Sequence, residues 1–180
     1  MDSEKQLITQ LQNTQTQDKA FRTLMGLYKE RLYWHIRNIV KSHNDADDVL
    51  QNAFIKVYRN ISNFKGDSKL YSWMYRIATN ESITHLNKKA KQQQVSVEDV
   101  QIQLAASLHA DNYFSGDEIQ EKLQKALVLL PTKQQLVFNM KYFDNMKYDD
   151  ISDVLGTSVG ALKASYHHAV KKIEHYLTNS

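Results

Sequence analysis

The chain has no cysteine, a single proline and only five glycines among its 180 residues. Without cysteine there are no disulfides and no thiolate-held metals, which fits a reducing compartment. Scarce proline and glycine, with little alternation of apolar and polar residues, argue for helices rather than strands. No run approaches the ~18 apolar residues needed to span a bilayer, so no membrane insertion is expected. The start Met1-Asp2-Ser3-Glu4-Lys5-Gln6 lacks the basic-then-apolar pattern of a secretion signal. A soluble, cytoplasmic protein is the expectation. No nucleophile–base pair, P-loop or zinc-ligand spacing is visible either, so neither an enzyme nor a cofactor site is expected.

What the chain does have is an apolar content of 42%, with ten Tyr, six Phe and two Trp, enough for modest globular cores. Its charge is uneven. Residues 1–90 carry 14 Lys and Arg against 9 Asp and Glu, whereas residues 117–180 carry 8 of each. Near the C-terminus, Asp144, Asp149, Asp150 and Asp153 precede a Gly156 turn, and Lys163, Lys171 and Lys172 follow it. This basic bias is compatible with phosphate contacts and equally with an ordinary solvated surface.

Apolar spacing predicts a long helix over residues 18–42, on Phe21, Leu24, Met25, Tyr28, Leu32, Ile36 and Ile39. A second helix runs from Val49 through Phe54 and Val57 to Ile61, with Asn44 or Asp45 as its cap. Asn60 to Lys69 reads as a loop turning at Lys65-Gly66-Asp67. A third helix follows, with Leu70, Trp73 and Ile77 inward and Tyr71 and Tyr75 on an exposed side. Periodicity fails from Gln92 to Gly116, which reads as a linker carrying the exposed apolar residues Val95, Val97, Ile102, Leu104 and Leu108. Beyond it, two helices separated by Pro131 lead to Tyr148–Gly156 and then Thr157–Lys172. A short helix, a glycine turn and a Ser158-capped second helix spell a helix-turn-helix, whose second helix suits a DNA major groove. The fold class expected is all-α, with a three-to-four-helix domain over 1–91, a linker over 92–116 and a four-helix domain over 117–180.

Two residue sets invite a metal reading and do not support it. Adjacent His167 and His168 diverge by about 100° on a helix. Asp45, Asp47, Asp48 and Gln51 sit in a first helical turn, where carboxylates complement the helix dipole.

The run Asn44 to Phe54, then Phe64-Lys65-Gly66-Asp67-Ser68-Lys69-Leu70-Tyr71-Ser72-Trp73-Met74-Tyr75-Arg76-Ile77-Ala78-Thr79-Asn80, resembles the first domain of bacterial sigma factors of the small extracytoplasmic-function group. Leu130-Pro131 through Phe138, and Tyr148 to Lys172, are similar to that family's second, promoter-reading domain. Both stretches in this order imply a sigma subunit that binds core RNA polymerase, reads the −10 and −35 promoter elements and helps melt the DNA. The rival reading is a helix-turn-helix regulator that acts without polymerase.

On the residues, the resemblance implies contacts to the polymerase clamp helices from Asp45, Asp48, Gln51, Asn52 and Phe54, and a second contact to the flap. It implies −10 recognition and melting by Asn63, Lys65, Ser68, Lys69, Tyr71, Tyr75, Arg76 and Asn80, with Lys88 and Lys89 on backbone phosphates. Unpaired bases stacking on aromatic faces would be worth about 1–3 kcal/mol each. In the last helix, Ser158, Ala161, Lys163, Ala164, Ser165, His167, His168, Lys171 and Lys172 would meet the −35 element. Arginines frequent in the family are replaced by Ser165, His168 and Val170, which implies a different upstream sequence. The family's usual capped entry to the first helix of the pair is Lys147 here, a weaker cap. An inhibitory partner, an anti-sigma factor, is also implied, with the apolar linker residues as part of its seat.

Overall fold

The computed structural model describes residues 2–108 and 118–180, and every described element is helical. Its helices are α1 (Asp2–Gln12), α2 (Gln17–Val40), α3 (His43–Asn60), α4 (Leu70–Gln93), α5 (Val97–Ala106), α6 (Glu118–Val128), α7 (Thr132–Phe138), α8 (Tyr148–Leu155) and α9 (Val159–Asn179). A 3-10 turn, Ile61–Asn63, follows α3, and a π-type turn, Asn139–Phe143, extends α7.

Helices α2, α3 and α4 pack around Leu24, Leu32, Ile36, Val49, Phe54, Val57, Met74 and Leu86, the apolar stripes that the spacing predicts. The cap of α3 is Ser42, whose hydroxyl accepts from the Asp45 amide at 3.3 Å, not Asn44 or Asp45. A serine one residue before the helix has the extended backbone that this bond requires.

The outward face expected for α4 is not outward. Tyr75 is 1% exposed and Tyr71 is half-buried, while Trp73 and Ile77 are only partly covered. The helix carries buried side chains around most of its circumference because α8 lies along the face that α2 and α3 leave open. Met140, Met146, Ile151, Val154 and Leu162 thereby join the core that α2–α4 build. A smaller cluster, including Leu127, Leu130, Phe138, Ala169 and Ile173, holds α6, α7 and α9 together. Pro131, between α6 and α7, sits at the N-cap of α7, and Leu177 is 37% exposed on the last turn of α9.

The linker is more ordered than its composition suggests. Ser96 and Asp99 form a reciprocal capping box that starts α5. Val100, Ala105 and Leu108 are buried, Val97 and Leu104 half-buried, and Val95 and Ile102 exposed. The polar stretch with Asp111, Asn112, Ser115 and Gly116 lies outside the described residues.

Buried polar links cross between the early and late helices. The His35 ring joins Thr79 Oγ1 at 2.8 Å and Asp144 Oδ2 at 2.7 Å. Lys41, buried at the end of α2, donates to Gln124 Oε1 at 2.6 Å. Burial, aided by the Arg37 charge, pushes the Lys41 ammonium down to about 7 from its usual 10.5. Between those values the unfolded chain holds a proton that the folded one has lost, so this group's contribution to stability rises with pH. Urea unfolding of the native chain and Lys41→Met from pH 7 to pH 9.5 should show the native curve gaining on the variant. The slope of the difference should approach about 1.4 kcal/mol per pH unit.

Candidate nucleic-acid interface

The loop between α3 and α4 has no regular hydrogen-bond ladder, so its shape comes from a few fixed points. The Phe64 amide closes the 3-10 turn on Ile61 O at 3.1 Å, and Gly66 takes a left-handed φ of 78° that lets the chain reverse. The Phe64 ring lies 5.2 Å from Trp73 at a tilt of 49°. Around them is a recess of about 280 Å³ lined by Asn63, Phe64, Lys65, Asp67, Ser68, Trp73, Arg76 and Asp153. Aromatic rings together with amide, hydroxyl and cationic groups in one lining suit a flat polar heterocycle.

That recess is closed in part by α8. Lys69 Nζ binds Asp150 Oδ1 at 2.8 Å, Tyr71 donates its hydroxyl to the other Asp150 oxygen, and the Arg76 guanidinium holds the Asp153 carbonyl through Nε at 3.0 Å. Burial opposes the charge on Asp150, yet the bonds from Lys69 and Tyr71 outweigh it and hold the carboxyl below its ordinary range. Burial pushes the Tyr71 phenol strongly up, and the Asp150 carboxylate it serves adds to that. Tyr75 moves the same way, mainly through burial and then the Asp144 charge. Of the expected −10 residues, Asn63, Lys65, Asn80 and Lys88 stand exposed; Lys69 and Arg76 are exposed but engaged, Ser68 and Tyr71 half-covered and Tyr75 enclosed. Lys89 is bound to Asp45 at 2.7 Å, with His85 on the other Asp45 oxygen at 3.3 Å. Two residues expected to face different partners therefore hold each other.

A second concavity, about 1200 Å³, runs between α2 and α3. Phe21, Met25, Leu50, Phe54, Ile55 and Tyr58 form its apolar floor and walls, with Asp47, Asp48 and Gln51 among its polar lining. Phe21 meets Phe54 edge-on at 6.0 Å and Tyr58 at 5.0 Å. Asp48, Gln51 and Asn52 are exposed, whereas Phe54 is the buried base of the groove at 7% exposure. Spacing places Phe21 and Met25 on the apolar side of α2, and the groove shows that side to be partly open.

The third surface is α9. Gly156, at φ 63°, ends α8 with its amide on Ser152 O at 2.8 Å. Ser158 then accepts from the Ala161 amide at 3.3 Å and starts α9. Ser158, Ala161, Lys163, Ala164, His167, His168, Lys171 and Lys172 are exposed and Ser165 is half-exposed, on the side opposite buried Leu162, Ala169 and Ile173. Lys163 Nζ lies 5.8 Å over the Tyr148 ring. The Lys147 entry to α8 makes no side-chain cap, as its chemistry predicts. Among the described residues, no group of three or more His, Cys, Asp or Glu could hold a metal ion.

The family model for sigma-70 region 2 matches residues 24–92, and that for sigma-70 region 4 matches residues 120–173. The chain belongs to the sigma-70 family, in its extracytoplasmic-function group. The chain is 28% identical to the RNA polymerase sigma-H factor of Pseudomonas aeruginosa over 181 residues, 96% of this chain and 93% of that one. It is 29% identical to the extracytoplasmic-function sigma factor SigW of Bacillus subtilis over 156 residues, 82% and 83% of the two chains. Among solved structures, CnrH in complex with the cytosolic domain of CnrY matches with a TM-score of 0.72 at 20% identity, over 98% of both chains. RpoE in complex with the anti-sigma factor NepR from Bartonella quintana matches with a TM-score of 0.68 at 19% identity, over 89% of this chain and 98% of that one. The two structural likenesses speak for the all-helical fold, and the paired regions of this sigma factor leave the polymerase-independent regulator unfavoured.

Residue-by-residue reading missed what closes the recess, because Asp150 and Asp153 look like ordinary dipole-complementing acids in a first turn and on a solvated face. Replacing Asp150 with Asn should loosen α8 from α4 by about 1 kcal/mol, a modest figure because Lys69 remains half in water. Amide exchange at residues 71–75 should then speed up by a factor of about five. In the native chain the same contact is complete above the ordinary carboxylate pKa and fades as pH falls through the depressed Asp150 value. Asp150→Asn should lack that acid sensitivity.

Proposed function

We propose that this sigma factor grips core RNA polymerase through the groove between α2 and α3, captures the opened −10 element with the recess before α4, and lays α9 into the −35 element. The recess carries this reading. Its polar edge and the Phe64–Trp73 pair sit beside Lys69, Tyr71 and Arg76, so one unstacked base and its flanking phosphates would meet complementary chemistry. The apolar groove with Asp48 and Gln51 at its rim suits a basic, helical partner such as the clamp helices, with Phe54 as a desolvated anchor. The flap would meet the later domain. On this reading the functional units are 1–91 and 117–180, and the stretch between them spaces the two DNA grips.

The protein would perform no bond chemistry of its own, and its work would be done in the cytoplasm. No helix of the described residues is long and apolar enough to cross a membrane. With α8 on α4, the cations meant for the −10 strand are engaged by Asp150 and the Asp153 carbonyl, so this arrangement is a resting one that opens when polymerase is bound. CnrH and RpoE were each solved with a partner, named as an anti-sigma factor in the RpoE case. An anti-sigma factor acting on this chain would hold the same closed arrangement.

The test is run-off transcription on a promoter library with purified core enzyme plus this chain. Promoter-specific transcripts are expected; failure to bind core polymerase, or binding without initiation, would sink the proposal. Within that assay, Lys163→Ala should change the base preferred at one −35 position at a cost of about 1–3 kcal/mol, with the −10 preference unaltered.

A further inference from the structure

Helix α1 precedes the sigma-70 region 2 match, which begins at residue 24. Its apolar side is ordinary. Leu11 is fully buried and Leu7 and Ile8 pack on the main core. Its polar residues do something different. The Gln12 side-chain amide donates to Phe64 O at 2.8 Å and to Ile61 O at 3.2 Å, spanning the 3-10 turn that contains Asn63. At the opposite end of the same loop, Glu4 Oε1 accepts the Leu70 amide at 3.1 Å. That N–H is the first of α4, and Lys69 at the N-cap offers it no side-chain acceptor. A carboxylate there also complements the positive end of the helix.

We infer that α1 is a brace for the base-capture loop, with Gln12 and Glu4 as positioning residues that set the recess from outside it. The inference rests on reading residues 60–69 as the place where an unpaired base is held. Between its two tethers the loop has a glycine at positive φ and few bonds of its own, so without α1 its carbonyls and the Asn63 side chain would sample several arrangements. A recess that selects a base by hydrogen bonding needs its donors and acceptors held in place before the base arrives. Gln12 fits that need because one planar amide supplies two N–H groups to two carbonyls, which fixes their separation and direction. Neither residue is among those that line the recess, which are Asn63, Phe64, Lys65, Asp67, Ser68, Trp73, Arg76 and Asp153.

The experiment uses holoenzyme assembled from core polymerase and the full chain, presented with single-stranded DNA randomised across the melted segment. Enriched strands are sequenced, and affinity for core enzyme, duplex −35 preference and thermal unfolding are measured alongside. The native chain should select a base at one position, and Asn63→Ala should flatten that choice. Gln12→Ala should flatten it by a factor of about five. Gln12→Glu, equal in shape but without donors, should do at least as much, with the other three measurements unchanged. Glu4→Gln, which keeps an acceptor, should disturb the choice less than Glu4→Ala. If the native chain selects sharply and both Gln12 variants select equally well, the brace is wrong while the recess stands. If Gln12→Ala instead lowers thermal stability and every binding measurement together, as Leu11→Ala is expected to do, α1 is only packing and the inference falls. If the native chain shows no base preference, or Asn63→Ala leaves it intact, the recess reading fails and takes the brace with it.

Discussion

Helix α4 cannot be satisfied by α2 and α3 alone. Those two helices cover one broad side of it, where Tyr75 and Thr79 meet the His35 ring of α2, and a further stripe, with Tyr71 between Lys69 and Arg76, still needs cover. A single tyrosine ring exposed rather than buried forfeits roughly 2–3 kcal/mol. The short helix α8 supplies the missing cover, and its position dictates the rest of the late half. Met140, Met146, Ile151 and Val154 extend the core, the π-type turn at 139–143 brings Asp144 to His35, and α6 comes to rest with Gln124 on Lys41. Because the stripe is amphipathic, its cover had to be so as well. Asp150 answers Lys69 and the Tyr71 hydroxyl, and Asp153 offers a backbone oxygen to Arg76.

The same stripe is the one that the proposed −10 contact would call on. Its aromatic and cationic groups would then meet nucleic acid, and an acidic helix is the protein feature that most nearly matches a strand of phosphates. The α2–α3 groove, by contrast, lies away from α8 and stays open. On the proposed reading, polymerase would find its docking surface ready while Lys69, Tyr71 and Arg76 beside the base-capture recess are still engaged by α8.

Much of this was legible in the residues. The stripes of α2 and α3, the glycine stop at Gly156, the Ser158 cap and the exposed face of α9 all follow from spacing and side-chain chemistry, since each is decided within one or two turns of helix. The linker was half legible: Ser96 and Asp99 form a capping box that low complexity around them obscured. The surroundings of α4 were not legible. Tyr75 and Trp73 are equally apolar, and which of them is buried depends on partners far along the chain: Tyr75 packs on the His35 ring of α2 at 4.6 Å. Spacing reports which residues share a face and is silent on what covers it. The pairing of Lys89 with Asp45 was hidden for the same reason, as was Gln12, one polar residue among the many of the N-terminal segment, whose partners lie about 50 positions further on.

One consequence of the Asp150 contact concerns ionic strength. A protein that releases condensed counterions from DNA loses affinity steeply as salt rises, by nearly one logarithmic unit of slope per neutralised phosphate. Here Lys69 does not begin as a bare cation; on the proposed reading it would leave the Asp150 carboxylate in order to reach a phosphate. Added salt weakens both attachments, so the exchange between them is less sensitive than either. On that reading the protein would trade some absolute affinity for DNA binding that is less sensitive to ionic strength.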